Sequence, residues 1–199
     1  MLIRDRLLEA ATKVFACTGY RGATTRRIAE AAGVNEVTLF RHFGSKDALI
    51  NQALGCAGDR NLSHLPAHPR DPVAELTRWS AERFRNMYES RQLIRKVMGE
   101  LAEHPEIASV VAKACPSDDF SELSEYVSHL RPLRSTHRGD VQAASRMLMG
   151  VLFAEAMYRD TMPELFHESV DDAIGDYVRV FLRSVGVEPR LQKAAAAGD

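Results

Sequence analysis

Residues 24–46 read TTRRIAEAAGVNEVTLFRHFGSK. Two short helices are written into this stretch, over 25–32 and 36–42. Thr24 stands where a hydroxyl caps a helix by accepting from the Arg27 amide. Gly33 stops the first helix, because glycine tolerates the left-handed conformation at a helix end. Asn35 caps the second helix. Gly44 ends it, and Ser45 caps a further helix over 46–58 that carries Leu49, Ile50, Ala53 and Leu54. Ahead of the pair, Leu7, Leu8, Ala11, Val14 and Phe15 recur at helical spacing over 3–17. Gly19 closes that first helix.

A helix pair at this spacing is a device for laying its second helix in a DNA major groove. The first helix of the pair turns Ile28, Ala29 and Ala32 inward and aims its free N-terminal amides, around Thr25 and Arg26, at a phosphate, with Arg27 adding charge. The second turns Leu39 and Phe43 inward. Its polar N-terminal residues Asn35, Glu36 and Thr38 stand where base edges are read: glutamate accepts from a cytosine amine, asparagine reads adenine, and threonine reaches a phosphate or a thymine methyl. Arg41 and His42 stand at the far end, near the backbone, and Lys46 adds charge where the next helix opens. Taken singly, Arg26 and Arg27 fit a solvated face, Asn35 and Ser45 fit caps, and Phe40 fits a core. The joint arrangement points to DNA.

Charge supports this reading. The 199-residue chain has a net charge of −1. Its first 47 residues carry eight Lys and Arg against five Asp and Glu, while the remainder carries 18 against 22. A basic head suits a polyanion and an acidic body does not. Cys17, Cys56 and Cys115 are odd in number and far apart, which favours small core residues over a disulfide framework or thiolate metal site. The opening MLIRDRLLEAA interleaves charge with apolar residues and does not read as a signal peptide. The longest apolar tract, 147–157, is too short for a bilayer and reads as a buried helix. A cytoplasmic location is expected.

Residues 22–50, GATTRRIAEAAGVNEVTLFRHFGSKDALI, resemble the N-terminal segment of the TetR family of transcriptional repressors. The resemblance is carried by Phe15, Gly19, Thr24, Ile28, Ala29, Ala32, Gly33, Val34, Thr38, Leu39, Phe40, His42, Phe43, Ser45, Lys46 and Leu49, about a quarter of the chain. It implies an all-α dimeric protein. It also implies that Thr38, Phe40, His42 and Lys46 occupy phosphate-contacting positions, with Asn35, Glu36, Val37 and Arg41 along the recognition helix. Two positions depart from the family pattern: Val37, where a small residue is frequent, and Phe40, where tyrosine is common.

Beyond the head, proline-bearing residues 61–72 read as a loop. Helices are expected over 73–89, 93–103, 106–114, 120–130, 141–159 and 170–185, with breaks at CPSDD (115–119) and at the turn-rich RPLRSTHRGD (131–140), whose RGD reads as a turn. The expected organisation is all-α, with about nine helices or slightly more: a DNA-binding head over 1–47, a larger helical ligand-binding and dimerisation bundle over 48–190, and a disordered tail over 191–199.

In the family the body resembles a bundle with a ligand cavity whose last two helices pair with a second copy. Residue patterns support such pairing independently. Ala143, Met147, Gly150, Ala154 and Met157 form one stripe, and Ile174, Tyr177, Phe181 and Val185 another; two such helices from each copy make a four-helix interface. Their alternative reading is internal core. Trp79, Phe84, Met87, Tyr88, Met98 and Phe120 are candidates to line a pocket for an apolar or aromatic effector, or ordinary core. Glu100 and Glu103 read as solvated, with a cationic ligand the alternative. His64 and His68 flank Pro66, which argues against a helical metal site, so neither metal nor cofactor is expected. The leading expectation is a ligand-responsive repressor that binds a palindromic operator as a homodimer. The alternative keeps the head and gives the body a protein partner, in an architectural or cell-division role. No nucleophile motif, phosphate loop, HExxH or carboxylate cluster supports an enzyme.

Overall fold

The computed structural model describes residues 1–58, 62–114, 118–130, 138–167 and 169–188. These are all-α, with ten α-helices and two 3₁₀ turns and no strand among the described residues. Contacts gather the chain into two compact units, Met1–Leu62 with Arg85–Ser117, and Ser63–Phe84 with Asp118–Asp199.

The first unit is built on α1 (Ile3–Gly22), α2 (Thr25–Ala32), α3 (Glu36–Phe43) and α4 (Lys46–Gly58), joined by α6 (Arg91–Glu103), a 3₁₀ turn at Pro105–Ile107, and α7 (Ala108–Ala114). Leu7, Ala11 and Phe15 of α1 meet Ile28, Leu39, Phe43, Leu49 and Ile50 in one apolar cluster, against which Leu93, Val97 and Val110 pack. The sequence places a boundary at residue 47, where composition changes. Packing instead unites both sides of it, because the apolar face of α4 belongs to the same core.

The helix ends follow the expected chemistry. Thr24 Oγ1 accepts from the Arg27 amide at 3.3 Å, and Asn35 Oδ1 accepts from the Thr38 amide at 2.8 Å. Ser45 Oγ accepts from the Ala48 amide at 3.1 Å. Gly33 takes the left-handed conformation at φ 66°, ψ 38°. The first helix runs past residue 17 to Gly22, broken at Gly19, whose φ of 68° is non-helical. A methyl group on Gly19 would fall on the Glu100 carboxylate of α6. Cys17, expected as a core residue, is exposed. Cys115 and the tail lie outside the described residues, as does the side chain of Cys56.

The second unit contains the first part of α5 (Pro72–Glu89), α8 (Asp118–His129), α9 (Arg138–Tyr158), a 3₁₀ turn at Pro163–Leu165 and α10 (Val170–Ser184). The expected loop after residue 61 has no helix through residue 71. It is tied down by carboxylates: Ser63 donates to Glu82, Leu65 N–H donates to Glu122, and the Arg70 and Asp71 amides donate to Glu75 at 3.0 and 3.1 Å. The RGD expected to form a turn instead opens α9, where Asp140 in the first turn suits the positive end of the helix dipole. The rest of the expected break, 131–137, lies outside the described residues.

Buried charge organises this unit. Arg83 of α5 donates to Asp119 Oδ1 at 3.2 Å, Glu122 Oε2 at 3.0 Å and the Ser63 carbonyl at 2.6 Å. Its guanidinium lies 4.0 Å from the centre of the Trp79 ring, whose Nε1–H also donates to Glu122. Trp79 is therefore built into an internal network. Phe84 is buried, Met87 and Tyr88 are half-buried, and Met98 and Phe120 are exposed. Met87, Tyr88 and Met98 fall in the first unit, and Trp79, Phe84 and Phe120 in the second. On α9, Glu155 is fully buried and accepts from Arg159 Nε and Tyr177 Oη, each at 2.7 Å.

The two stripes assigned to subunit pairing divide. Ala143, Met147 and Gly150 are exposed and Ala154 is half-buried. Met157, Ile174, Phe181 and Val185 are buried within the protomer, in keeping with the alternative reading of them as internal core. Helical periodicity marks that a face is apolar but not which neighbour covers it. Tyr177 is half-buried and directed at Glu155.

Gly19 gives the sharpest stability test. Gly19→Ala forces a positive φ on a residue with a side chain and displaces Glu100, so it should lower the unfolding free energy by roughly 2 kcal/mol. Urea denaturation checks this, and an unchanged midpoint would contradict the described break in α1.

Candidate nucleic-acid interface

The α2–turn–α3 segment presents one face to the core and one to solvent. Leu39 and Phe43 are buried. Asn35, Val37, Phe40, Arg41 and His42 are exposed, and Glu36 and Thr38 half-buried. Val37 stands 75% exposed and Phe40 46%, large values for apolar side chains on a helix whose other face packs tightly. One helical turn separates them, so they share the outward surface.

Several candidate side chains have internal partners. Asn35 Oδ1 accepts both the Thr38 amide and the Thr38 hydroxyl, each at 2.8 Å. A carbonyl oxygen has two lone pairs, so Asn35 keeps only its amide donors for an external partner. Two-point reading of adenine, which needs the carbonyl as well, is unavailable in this arrangement. Thr25 Oγ1 donates to Glu36 Oε2 at 2.6 Å, linking the first residues of α2 and α3. Arg26 pairs with Glu30 at 3.0 Å across one turn, and Arg27 donates to the Gly22 carbonyl at 3.2 Å. Both arginines are exposed, and such surface pairs are weak enough to exchange for a phosphate.

Lys46 is not a free surface cation. Its Nζ donates to the Tyr20 carbonyl and lies 4.1 Å from the centre of the Tyr20 ring. Burial holds its ammonium below the usual lysine range, against the opposing pull of Asp47. Two of its three N–H donors remain for other partners. The Tyr20 hydroxyl donates to Asp47; burial first, then that bond, pushes its pKa up to about 12.

Glu100 completes this cluster and was not legible beforehand as a partner of the head. Expected as solvated, it is 8% exposed. Its Oε2 accepts from the Tyr20 amide at 2.8 Å, and Lys96 stands 3.2 Å from its Oε1. The break at Gly19 releases the Tyr20 peptide from the helix, and its amide and carbonyl are taken by Glu100 of α6 and Lys46 of α4. A separation of 80 residues carries no periodic signal in a sequence.

Known proteins share this head. Residues 7–53 match the model of the bacterial regulatory proteins of the tetR family. The transcriptional repressor AcnR of Corynebacterium efficiens is 48% identical over 47 residues, spanning 24% of this chain and 25% of that protein. The uncharacterized transcriptional regulator YvkB of Bacillus subtilis is 24% identical over 154 residues, or 77% of this chain and 81% of that protein. Among solved structures, GusR of Salmonella enterica superposes with a TM-score of 0.69 at 22% identity, covering 91% of this chain and 95% of that one. The stronger sequence likeness is thus confined to the head, where it spans a quarter of the relative's length.

The Tyr20 amide, chiefly, and Lys96 hold the Glu100 carboxyl below its ordinary value of 4.5. A depressed carboxyl pKa stabilises the fold above the unfolded value, and that contribution is lost as pH falls through the folded one. Glu100→Gln should therefore be less stable than the parent at pH 7, with the difference closing as pH falls below about 4.5. Urea titrations at stepped pH measure the gap; a gap independent of pH would contradict an ionised Glu100 in the clasp.

Proposed function

We propose that the chain, whose residues 7–53 match the tetR family of bacterial regulatory proteins, is a transcriptional regulator and not an enzyme: it binds a palindromic DNA operator as a homodimer and acts as a repressor that a small apolar or aromatic effector releases. The observation that carries this reading is the outward face of α3, where Val37, Phe40, Arg41 and His42 stand exposed on a helix anchored by Leu39 and Phe43. Asn35 donors and Glu36 approach base edges. Thr38, Phe40, His42 and Lys46 take the backbone, joined by Arg26, Arg27 and the Thr25 amide at the N-terminus of α2. Phe40 lacks the tyrosine hydroxyl and contributes apolar contact only.

The homodimer is proposed through the exposed stripe of α9, Ala143, Met147 and Gly150 with half-buried Ala154. Exposed Val180 of α10 also faces outward. Met147 at 70% exposure is a large apolar group that a second copy would remove from water. Small residues beside it permit close helix approach. Two heads then meet two half-sites related by the same twofold axis.

An effector works in this scheme by binding one arrangement of the body more tightly than another. A few kcal/mol of differential affinity shifts such an equilibrium decisively. Among the aromatic candidates, Trp79 and Phe84 are buried in the second unit. Exposed Tyr158, Met162 and Leu165 instead favour the alternative in which the body engages a protein partner.

Selection of bound sequences from random duplex DNA tests the central reading, which requires an enriched palindrome. Within it, Lys46→Ala should weaken all sequences alike and reduce the salt dependence of binding by about one phosphate contact; an unchanged slope would leave Lys46 a purely internal ligand of Tyr20. Met147→Glu should yield a helical monomer in sedimentation velocity at concentrations where the parent is dimeric. A persistent dimer would rule out the α9 stripe.

A further inference from the structure

The recognition helix opens with a carboxylate, although its partner is a polyanion. Glu36 is the first residue of α3 in a head with three surplus positive charges. A carboxylate facing a groove lined by phosphates is unfavourable unless a donor meets it. The structure supplies one donor internally, the Thr25 hydroxyl at 2.6 Å from Oε2. That bond joins the first turns of α2 and α3 and fixes the direction of the carboxylate. An ionised carboxylate accepts at about four lone-pair positions, so acceptor capacity remains.

Phosphates offer no donor. In the major groove the base-edge donors are the exocyclic amines, N4 of cytosine and N6 of adenine. They are not equivalent to an anion. Adenine sets its N7 acceptor beside N6, which repels a carboxylate, while cytosine sets a C–H beside N4. A fixed carboxylate therefore favours cytosine. Beside Glu36, the Val37 side chain is 75% exposed and has no hydrogen-bonding group. The apolar group that a base presents in the major groove is the thymine 5-methyl.

We propose that each operator half-site presents a cytosine amine to Glu36 and a thymine 5-methyl to Val37, with Thr25 the positioning residue that aims the carboxylate. This rests on the DNA-binding reading above and adds which base chemistry the helix selects. Thr25 then serves sequence preference through Glu36, by its hydroxyl, in addition to any phosphate its amide meets.

The test starts from the site that selection from random duplex DNA recovers with the full-length protein. Binding is then measured on every single-base variant of that site for the parent, Glu36→Gln, Thr25→Val and Val37→Ala, with circular dichroism melts confirming the folded state. The parent should prefer cytosine at one position of each half-site by roughly ten-fold. Glu36→Gln should abolish that preference or move it to adenine, leaving other positions unchanged. Thr25→Val, of similar shape but without the hydroxyl, should flatten the same position. Replacing one thymine per half-site by deoxyuridine removes only the methyl; it should weaken the parent several-fold and leave Val37→Ala unaffected. This last measurement alters the DNA alone in the parent arm, so it stands even where a variant fails to fold. An unchanged base profile in Glu36→Gln, equal losses at every position in Thr25→Val, or indifference of the parent to every deoxyuridine would overturn the proposal. No enriched site for the parent would instead overturn the DNA-binding reading itself.

Discussion

A helix that breaks in its own interior must find partners for the peptide groups it releases. In the first unit this constraint falls at Gly19 and Tyr20, and the packing of three helices depends on how it is met. The Tyr20 amide goes to Glu100 of α6 and its carbonyl to Lys46 of α4. The Tyr20 hydroxyl goes to Asp47. One residue at the end of α1 is thereby hydrogen-bonded to both helices that flank it. Glu100 is buried and Lys46 half-buried, where each such bond is stronger than at the surface and an unmet group more costly, while Asp47 is exposed. Gly19 is required twice over, by its positive φ and by the closeness of the Glu100 carboxylate.

The same economy of partners runs through the outward surface of α2 and α3. Thr24, Asn35 and Ser45 complete helix N-termini, and Thr25 and Glu36 complete one another. Polar side chains that look available in a one-dimensional reading are partly committed. Asn35 is left with donors, Glu36 with acceptors, and Lys46 with two of its three N–H groups. This limits the external partners each can meet. Val37 and Phe40 are the converse case: apolar groups left uncovered by the protein on a helix otherwise well packed.

The second unit meets a different difficulty, charge enclosed within helices. Arg83 is held by two carboxylates, a carbonyl and an aromatic face. Glu155 is held by Arg159 and Tyr177. A buried ion is tolerated only where its partners are complete, and both of these are richly met. Such networks fix the pairing of helices that apolar stripes alone leave ambiguous. They also account for the ordered path of the loop before α5, whose amides and hydroxyl are gathered by Glu75, Glu82 and Glu122.

Much of the head was legible because its signals are local. Thr24, Gly33, Asn35 and Ser45 act on backbone groups within three residues, so the boundaries of α2 and α3 follow from spacing alone. The inward faces at Ile28, Leu39 and Phe43 follow from helical period. The family likeness rests on that same local grammar. Periodicity could not tell the core face of α10 from a subunit face, since Ile174, Phe181 and Val185 are apolar under either reading. Nor could it find Glu100 beneath Gly19, Thr25 against Glu36, or Arg83 over Trp79. Local signals carried the all-α class, the helix–turn–helix and its solvent-facing side. Packing settled the remaining commitments, Glu36 to Thr25, Glu100 to Tyr20 and Arg83 to Glu122, because those partners lie on separate helices and meet only when the chain packs.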